Sequence, residues 1–282
     1  MKPVLKYRGG KSKEIQKFQQ YIPKEFDRYI EPFFGGGAVY FFLEPKTAIL
    51  NDINQRLMTF YTQLRNQYPL MREQLDELQR IYEQNQAEFK RRKTLTPDER
   101  VPNENETLYY QMRNLFNHPD GTFLDSVLYF FINKTAYSGM LRFNSNGEYN
   151  VPFGRYPNFN TQLITQEHSL LLQGAELFNC DYRVIFDMAR ENDFMFLDPP
   201  YDCVFNDYGN IEFSNGFDES EHRRLAADFK QLQCKALMVI GKTQLTEMLY
   251  HDYIVDEYDK NYSVNIRNRF NNKQVHMIIK NF

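Results

Sequence analysis

Three consecutive glycines, Gly35, Gly36 and Gly37, stand between the apolar stretch RYIEPFF and the apolar run AVYFFL. Glycine inside a helix or strand costs about 1 kcal/mol relative to alanine, so a triplet marks a place where the backbone must turn or be approached closely. The flanking blocks, with TAILND behind them, read as strand, glycine turn, helix and strand. Such a unit points to an α/β sheet, in which ligands bind beyond the carboxyl ends of the strands near a switch point. Asp52 lies fifteen residues after Gly37, within NDIN, where an acid can hydrogen-bond the ribose of an adenosine-containing ligand. Taken alone, structural glycines and a helix-capping Asp52 explain this pattern equally well.

A second constraint is LDPPY, residues 197–201, at the end of the apolar strand FMFL. Two successive prolines lack backbone donors and cannot extend a paired strand, so the chain must leave the sheet with Asp198 and Tyr201 at its rim. The plain reading is a strand followed by a proline turn. The chemical reading is that the Asp198 carboxylate and a proline carbonyl accept hydrogen bonds from an amino group, while the Tyr201 ring stacks on the base that carries it.

Between these landmarks the pattern is helical from about Asn54 to Phe89, followed by the charged connection KRRKTLTPDERVPNENE at 90–106 and by helices beginning near Thr107 and Phe123. Residues 137–156, YSGMLRFNSNGEYNVPFGRY, predict a β-hairpin with its tight turn at Asn146-Gly147. The α/β rhythm then resumes with the helix SEHRRLAADFKQL, the strand CKALMVI, the helix TQLTEMLY and strands around YIVDEYD and VHMIIKNF. The expected organisation is one sheet domain from residues 1–54 and 166–282, with a mainly helical domain, 55–165, inserted into it.

The 282 residues, 42% of them hydrophobic and 25% charged, suit a globular chain with a sizeable core. No apolar run is long enough to span a membrane and the start MKPVLKYRGGKSK has no secretory signal, so a cytoplasmic protein is expected. Cys180, Cys203 and Cys234 lack metal or disulfide spacing and read as buried thiols, and the five histidines show no metal spacing, so no metal is expected. A net charge of −3 excludes coating of nucleic acid by charge alone. Local basic patches remain, one over Lys6, Arg8, Lys11 and Lys13 and another over Lys260, Arg267, Arg269, Lys273 and Lys280, which on charge alone read as solvated faces. Tyr and Phe make up 16% of the chain, and most of Phe41, Phe42, Phe130 and Phe131 are expected in the core.

Five motifs in order, LKYRGGK, EPFFGGG, NDIN, the hairpin and LDPPY, resemble the DNA adenine methyltransferases of the Dam type over almost the whole chain. The resemblance implies a Rossmann-like methyltransferase sheet with an inserted, mainly helical DNA-recognition domain carrying a β-hairpin. It implies S-adenosylmethionine as cofactor, met by Tyr7 and Lys11, by the turn from Phe33 through Gly35 to Gly37, by Asp52 on the ribose and by Asp181 on the adenine. Asp198, Pro199, Pro200 and Tyr201 match the catalytic motif, in which a flipped-out adenine attacks the sulfonium methyl through its amino nitrogen. Tyr137, Met140, Arg142, Pro152 and Tyr156 match positions that intercalate or read bases of double-stranded DNA, and Lys6 matches a lysine on a guanine. A GA-containing site is expected, with GATC leading. A cognate restriction endonuclease is left open as a partner.

The sequence departs from the family at Ser138 and Met140, where asparagine and leucine are common, and at MVIGKT (238–243), where a Ser-Asn pair is common. These changes bear on base choice and the pocket wall. Two other readings compete: an RNA or protein methyltransferase using the same proline-aromatic motif, against which Arg142 in the hairpin speaks, and a non-catalytic DNA- or adenosyl-binding module, against which the intact Asp198–Tyr201 motif speaks.

Overall fold

A computed structural model describes residues 1–201, 217–261 and 273–282. Cys203, Arg267 and Arg269 lie outside the described residues, as does the side chain of Lys273. The sheet has seven strands: β1 (Tyr29–Glu31), β2 (Ala48–Asn51), β3 (Ala175–Phe178), β4 (Phe194–Leu197), β5 (Lys235–Gly241), β6 (Ile254–Asn261) and β7 (Lys273–Lys280). Their spatial order is β3-β2-β1-β4-β5-β7-β6. The first five are mutually parallel, and β7 runs antiparallel to both β5 and β6.

The parallel strands β1, β2 and β4 are buried on both faces, and this is why they read as mainly apolar runs. Tyr29, Phe194 and Phe196 point to one face and Ile30, Met195 and Leu197 to the other. The first face carries α1 (Ile15–Phe18), α2 (Ala38–Leu43) and the long helices α3 (Gln55–Asn66), α4 (Tyr68–Leu95), α5 (Glu104–Asn117) and α6 (Asp125–Thr135). The helix α7 (Gln166–Gln173) joins them. The second face is covered by α8 (Tyr182–Asp187), α9 (Glu219–Phe229) and α10 (Gln244–Tyr250).

The apolar cluster of the first face runs without a break from the sheet into the helices of the middle segment. Its centre is α6, DSVLYFFINKT, in which nine residues are buried. Phe41, Phe130 and Phe131 belong to this core, whereas Phe42 is 46% exposed. The helix α4 extends six residues further, 90–95, into the charged connection than the sequence suggested, with ion pairs from Arg91 and Arg92 to Glu88 near its end.

Two elements differ from expectation. The hairpin at 137–156 is held by two isolated antiparallel bridges, Ala136–Phe153 and Phe143–Tyr149, rather than by continuous strands. Its turn is not a two-residue loop at Asn146-Gly147: the Gly147 N–H donates to the Asn144 carbonyl at 3.0 Å, and Asn144 N–H donates to the Glu148 carbonyl at 2.8 Å. That longer loop uses Gly147 at φ 77° and the Asn144 side chain, which accepts from the Asn146 and Glu148 amides. The second difference is α7–β3–α8, which broke the sequence pattern because each piece is short and β3 is only partly buried.

Candidate active site

The sheet order reverses between β1 and β4, and the carboxyl ends of β1, β2 and β4 open there onto a cleft. Tyr7, Lys11, Phe33, Gly35, Gly37, Asp52, Asp181, Asp198, Pro199, Pro200 and Tyr201 all line it. Residues from both ends of the chain therefore meet in one place.

The glycine triplet is required by close packing within the protein itself. A Cβ on Gly35 would lie 2.8 Å from the Tyr7 ring, one on Gly36 would lie 2.9 Å from the Tyr7 Cβ, and one on Gly37 would lie 2.7 Å from the Phe34 ring. Gly35 and Gly37 also have φ of 48° and 67°. The turn thus presents its backbone and the Tyr7 ring to the cleft. Asp52 is buried and ties that turn down: Oδ2 accepts from the Gly35 N–H at 2.8 Å and Oδ1 from the Asn54 N–H at 2.9 Å. It does not cap α3, because Asn54 does so through the Leu57 N–H.

Asn51, which the sequence reading passed over, staples three strand ends: its amide donates to the Pro32 and Cys180 carbonyls and accepts from the Cys180 N–H. Cys180 is accordingly half-buried at the rim of the cleft, not a core thiol, while Cys234 is buried. Asp181 caps α8 through the Arg183 N–H at 2.9 Å and pairs with Arg224 at 2.7 Å. Phe33 packs on Tyr182 with ring centroids 5.3 Å apart.

On the opposite wall, Lys11 departs from the solvated-face reading. It is 1% exposed, and its ammonium donates to Asp198 Oδ1 at 2.5 Å and to the Gly9 carbonyl at 3.0 Å. Burial raises the pKa of Asp198 although a fifth of its side chain stays accessible, and the Lys11 charge opposes that rise. The Tyr201 ring has the Lys11 ammonium 5.0 Å from its centroid and the His276 ring edge-on at 5.1 Å. Glu31, at the end of β1, is buried and accepts from the Tyr29 hydroxyl at 2.8 Å; burial holds its pKa well above the usual range. Neither Glu31 nor His276 carried a sequence signal beyond its residue type.

The predicted base-reading residues form a separate group. Tyr137, Arg142, Pro152 and Lys6 are exposed, and Met140 and Tyr156 half-buried. The Lys6 ammonium lies 4.2 Å from the Tyr156 ring centroid, and the Lys6 backbone is bracketed by Asn133, which accepts from its N–H and donates to its carbonyl, both at 2.8 Å. Arg142 donates through Nε to Asn150 Oδ1 at 2.8 Å. The Tyr137 N–H donates to the Pro152 carbonyl at 2.9 Å, so both ends of the arm are pinned. Among the described residues no group of three His, Cys, Asp or Glu side chains could hold a metal ion, and no helix is long and apolar enough to cross a membrane.

Residues 7–266 match the model of the D12 class N6 adenine-specific DNA methyltransferases. The chain belongs to this family. It is 32% identical to the Type II methyltransferase M.CviBI of Paramecium bursaria Chlorella virus NC1A over the full length of both chains. It is also 32% identical to the Type II methyltransferase M.MjaIII of Methanocaldococcus jannaschii, over 93% of this chain and 88% of the relative. With the DNA adenine methylase of Haemophilus influenzae it shares 27% identity over 89% of this chain and 83% of the relative. The mixed seven-stranded sheet is that of a Rossmann-like methyltransferase, and methyltransferases of this kind use S-adenosylmethionine.

Proposed function

We propose that this chain binds S-adenosylmethionine in the cleft and methylates the exocyclic amino nitrogen of an adenine flipped out of duplex DNA. The observation that carries the reading is the Asp198 carboxylate, held at 2.5 Å by a buried lysine beside the Tyr201 ring, opposite the Asp52-anchored glycine turn. The lining of the cleft suits the cofactor: Asp52 would hold the ribose, the Phe33–Tyr182 pair offers an apolar wall for the adenosine moiety, and the glycine turn would lie against the methionine part. When bound, the cofactor supplies an electrophilic methyl group.

The residues supply position and electrostatics. An adenine amino group is a poor nucleophile because its lone pair is delocalised into the ring. Asp198 and the Pro199 carbonyl, accepting its two N–H groups, would favour a pyramidal nitrogen with the lone pair directed at the methyl. Tyr201 would stack on the extruded base. The Asp198 carboxylate would stabilise the positive charge that the amino nitrogen gains on methylation, until its proton is lost.

In this reading residues 55–165 form the target-recognition part and residues 1–54 with 166–282 the catalytic part, although they share one apolar cluster. Lys6, Tyr137, Met140, Arg142, Pro152 and Tyr156 meet the DNA. A site containing a GA step, GATC first, fits an arginine on guanine and a methionine on a thymine methyl. The protein would act in the cytoplasm, and a cognate restriction endonuclease is the further partner this reading allows. The test is sequencing of DNA from a methylation-free host expressing the chain, with modified-base detection. Methylated adenines following guanine are expected, and they should vanish with Asp198→Ala; persistence of the mark in that variant would refute the assignment.

A further inference from the structure

The buried carboxylate of Glu14 plays no part in the reaction outlined above. Glu14 follows the 3-10 turn Lys11–Lys13, and its N–H donates to the Lys11 carbonyl at 2.7 Å. The Tyr258 hydroxyl on β6 donates to its Oε2 at 2.8 Å, and Lys260 on β6 bonds its Oε1. His276 Nδ1 on β7 lies 2.8 Å from the same Oε2; since a carboxylate only accepts, that nitrogen carries its proton. A carboxylate removed from water is kept ionised only by such a set of donors. Burial pushes the Glu14 pKa up, but His276, Lys11, Lys260 and Tyr258 outweigh it and bring it down to about 2.

Its partners lead to both halves of the catalytic motif. Lys11 bonds Asp198, and the His276 ring stands edge-on to Tyr201. We propose that Glu14 is a positioning residue for methyl transfer: by holding His276 directly and attracting the nearby Lys11 ammonium through its charge, it sets the direction of the Asp198 carboxylate and the tilt of the Tyr201 ring together. The proposal rests on the roles of Asp198 and Tyr201 given above. It also makes the terminal strands β6 and β7 part of the active-site support, which their distance in sequence conceals.

The groups that act on Asp198 are Lys11 and His276, which favour its ionised form, and Glu14, which opposes it; Glu31 and Tyr29 on β1 are close enough to interact with its charge. Neutralising Glu14 therefore lowers the pKa of Asp198. Single-turnover methylation of duplex DNA at saturating S-adenosylmethionine should be about ten-fold slower or worse in Glu14→Gln, with the acid limb of its pH profile moved to lower pH. Tyr258→Phe, which keeps the ring and removes one donor, should lose about three-fold and remain folded. A folded Glu14→Gln within about two-fold of the unaltered rate and with an unmoved acid limb overturns the proposal. If Glu14→Gln does not fold, an unchanged rate in Tyr258→Phe overturns it. Asp198→Ala, run alongside, separates the two claims: turnover surviving there refutes the catalytic reading itself, whereas its loss beside a normal Glu14→Gln refutes the role of Glu14 alone.

Discussion

Replacing Lys11 by glutamine should move the pH dependence of turnover in the direction opposite to Glu14→Gln. The ammonium is the counter-cation of a carboxyl whose pKa burial already raises, and it sits 2.5 Å away with only 2% of its side chain exposed. A hydrogen bond to a charged group is worth about 1.5–3 kcal/mol, so losing the cation disfavours the ionised form of Asp198 by an energy of that order and raises its pKa further. Glutamine keeps a neutral donor, which favours the lower end. If the site works with Asp198 ionised, the acid limb of single-turnover methylation moves to higher pH. Below the new limb the rate falls by roughly ten- to a hundred-fold, and it recovers as pH rises. The assay uses saturating cofactor, so that weaker binding through Lys11 does not enter the rate. An acid limb that stays in place, or moves downward, in a folded Lys11→Gln would refute the argument that this lysine keeps Asp198 charged.

Asp52→Ala should weaken S-adenosylmethionine binding by about 1.5–3 kcal/mol in calorimetry, because it removes ribose acceptors and also frees the Gly35 N–H. Unchanged affinity would take Asp52 out of the site. Gly37→Ala should destabilise the fold by at least about 2 kcal/mol in denaturant unfolding, since a Cβ would meet the Phe34 ring at 2.7 Å in a backbone with φ of 67°. Arg142→Ala should relax the recognised site at one guanine by about 1–3 kcal/mol of discrimination and spare cofactor affinity; a methylation profile with an unaltered motif would count against the hairpin as reader.

What the sequence determined by itself is whatever is local in the chain. The strands around Tyr29–Glu31, Ala48–Asn51 and Phe194–Leu197 were legible because burial on both faces makes them mainly apolar, with a polar residue only at the carboxyl ends of the first two, and LDPPY because proline ends a strand by its covalent structure. The motif residues of the cleft were likewise readable in order. Short elements such as β3, and the loop at Asn144–Glu148, were not: four residues of mixed burial carry little periodicity, and the side chain of Asn144 decided the loop over the Asn146-Gly147 pair. Only the tertiary structure decided the partners. Lys11 read as one cation in a basic run until folding buried it against Asp198, 187 residues away in sequence. Glu14 met Lys260 and His276 only because β6 and β7 close the sheet beside the first turn of the chain. Apolar patterning sets where an element is buried, but the pairing of charges depends on which elements the sheet order makes neighbours, and no local spacing records that.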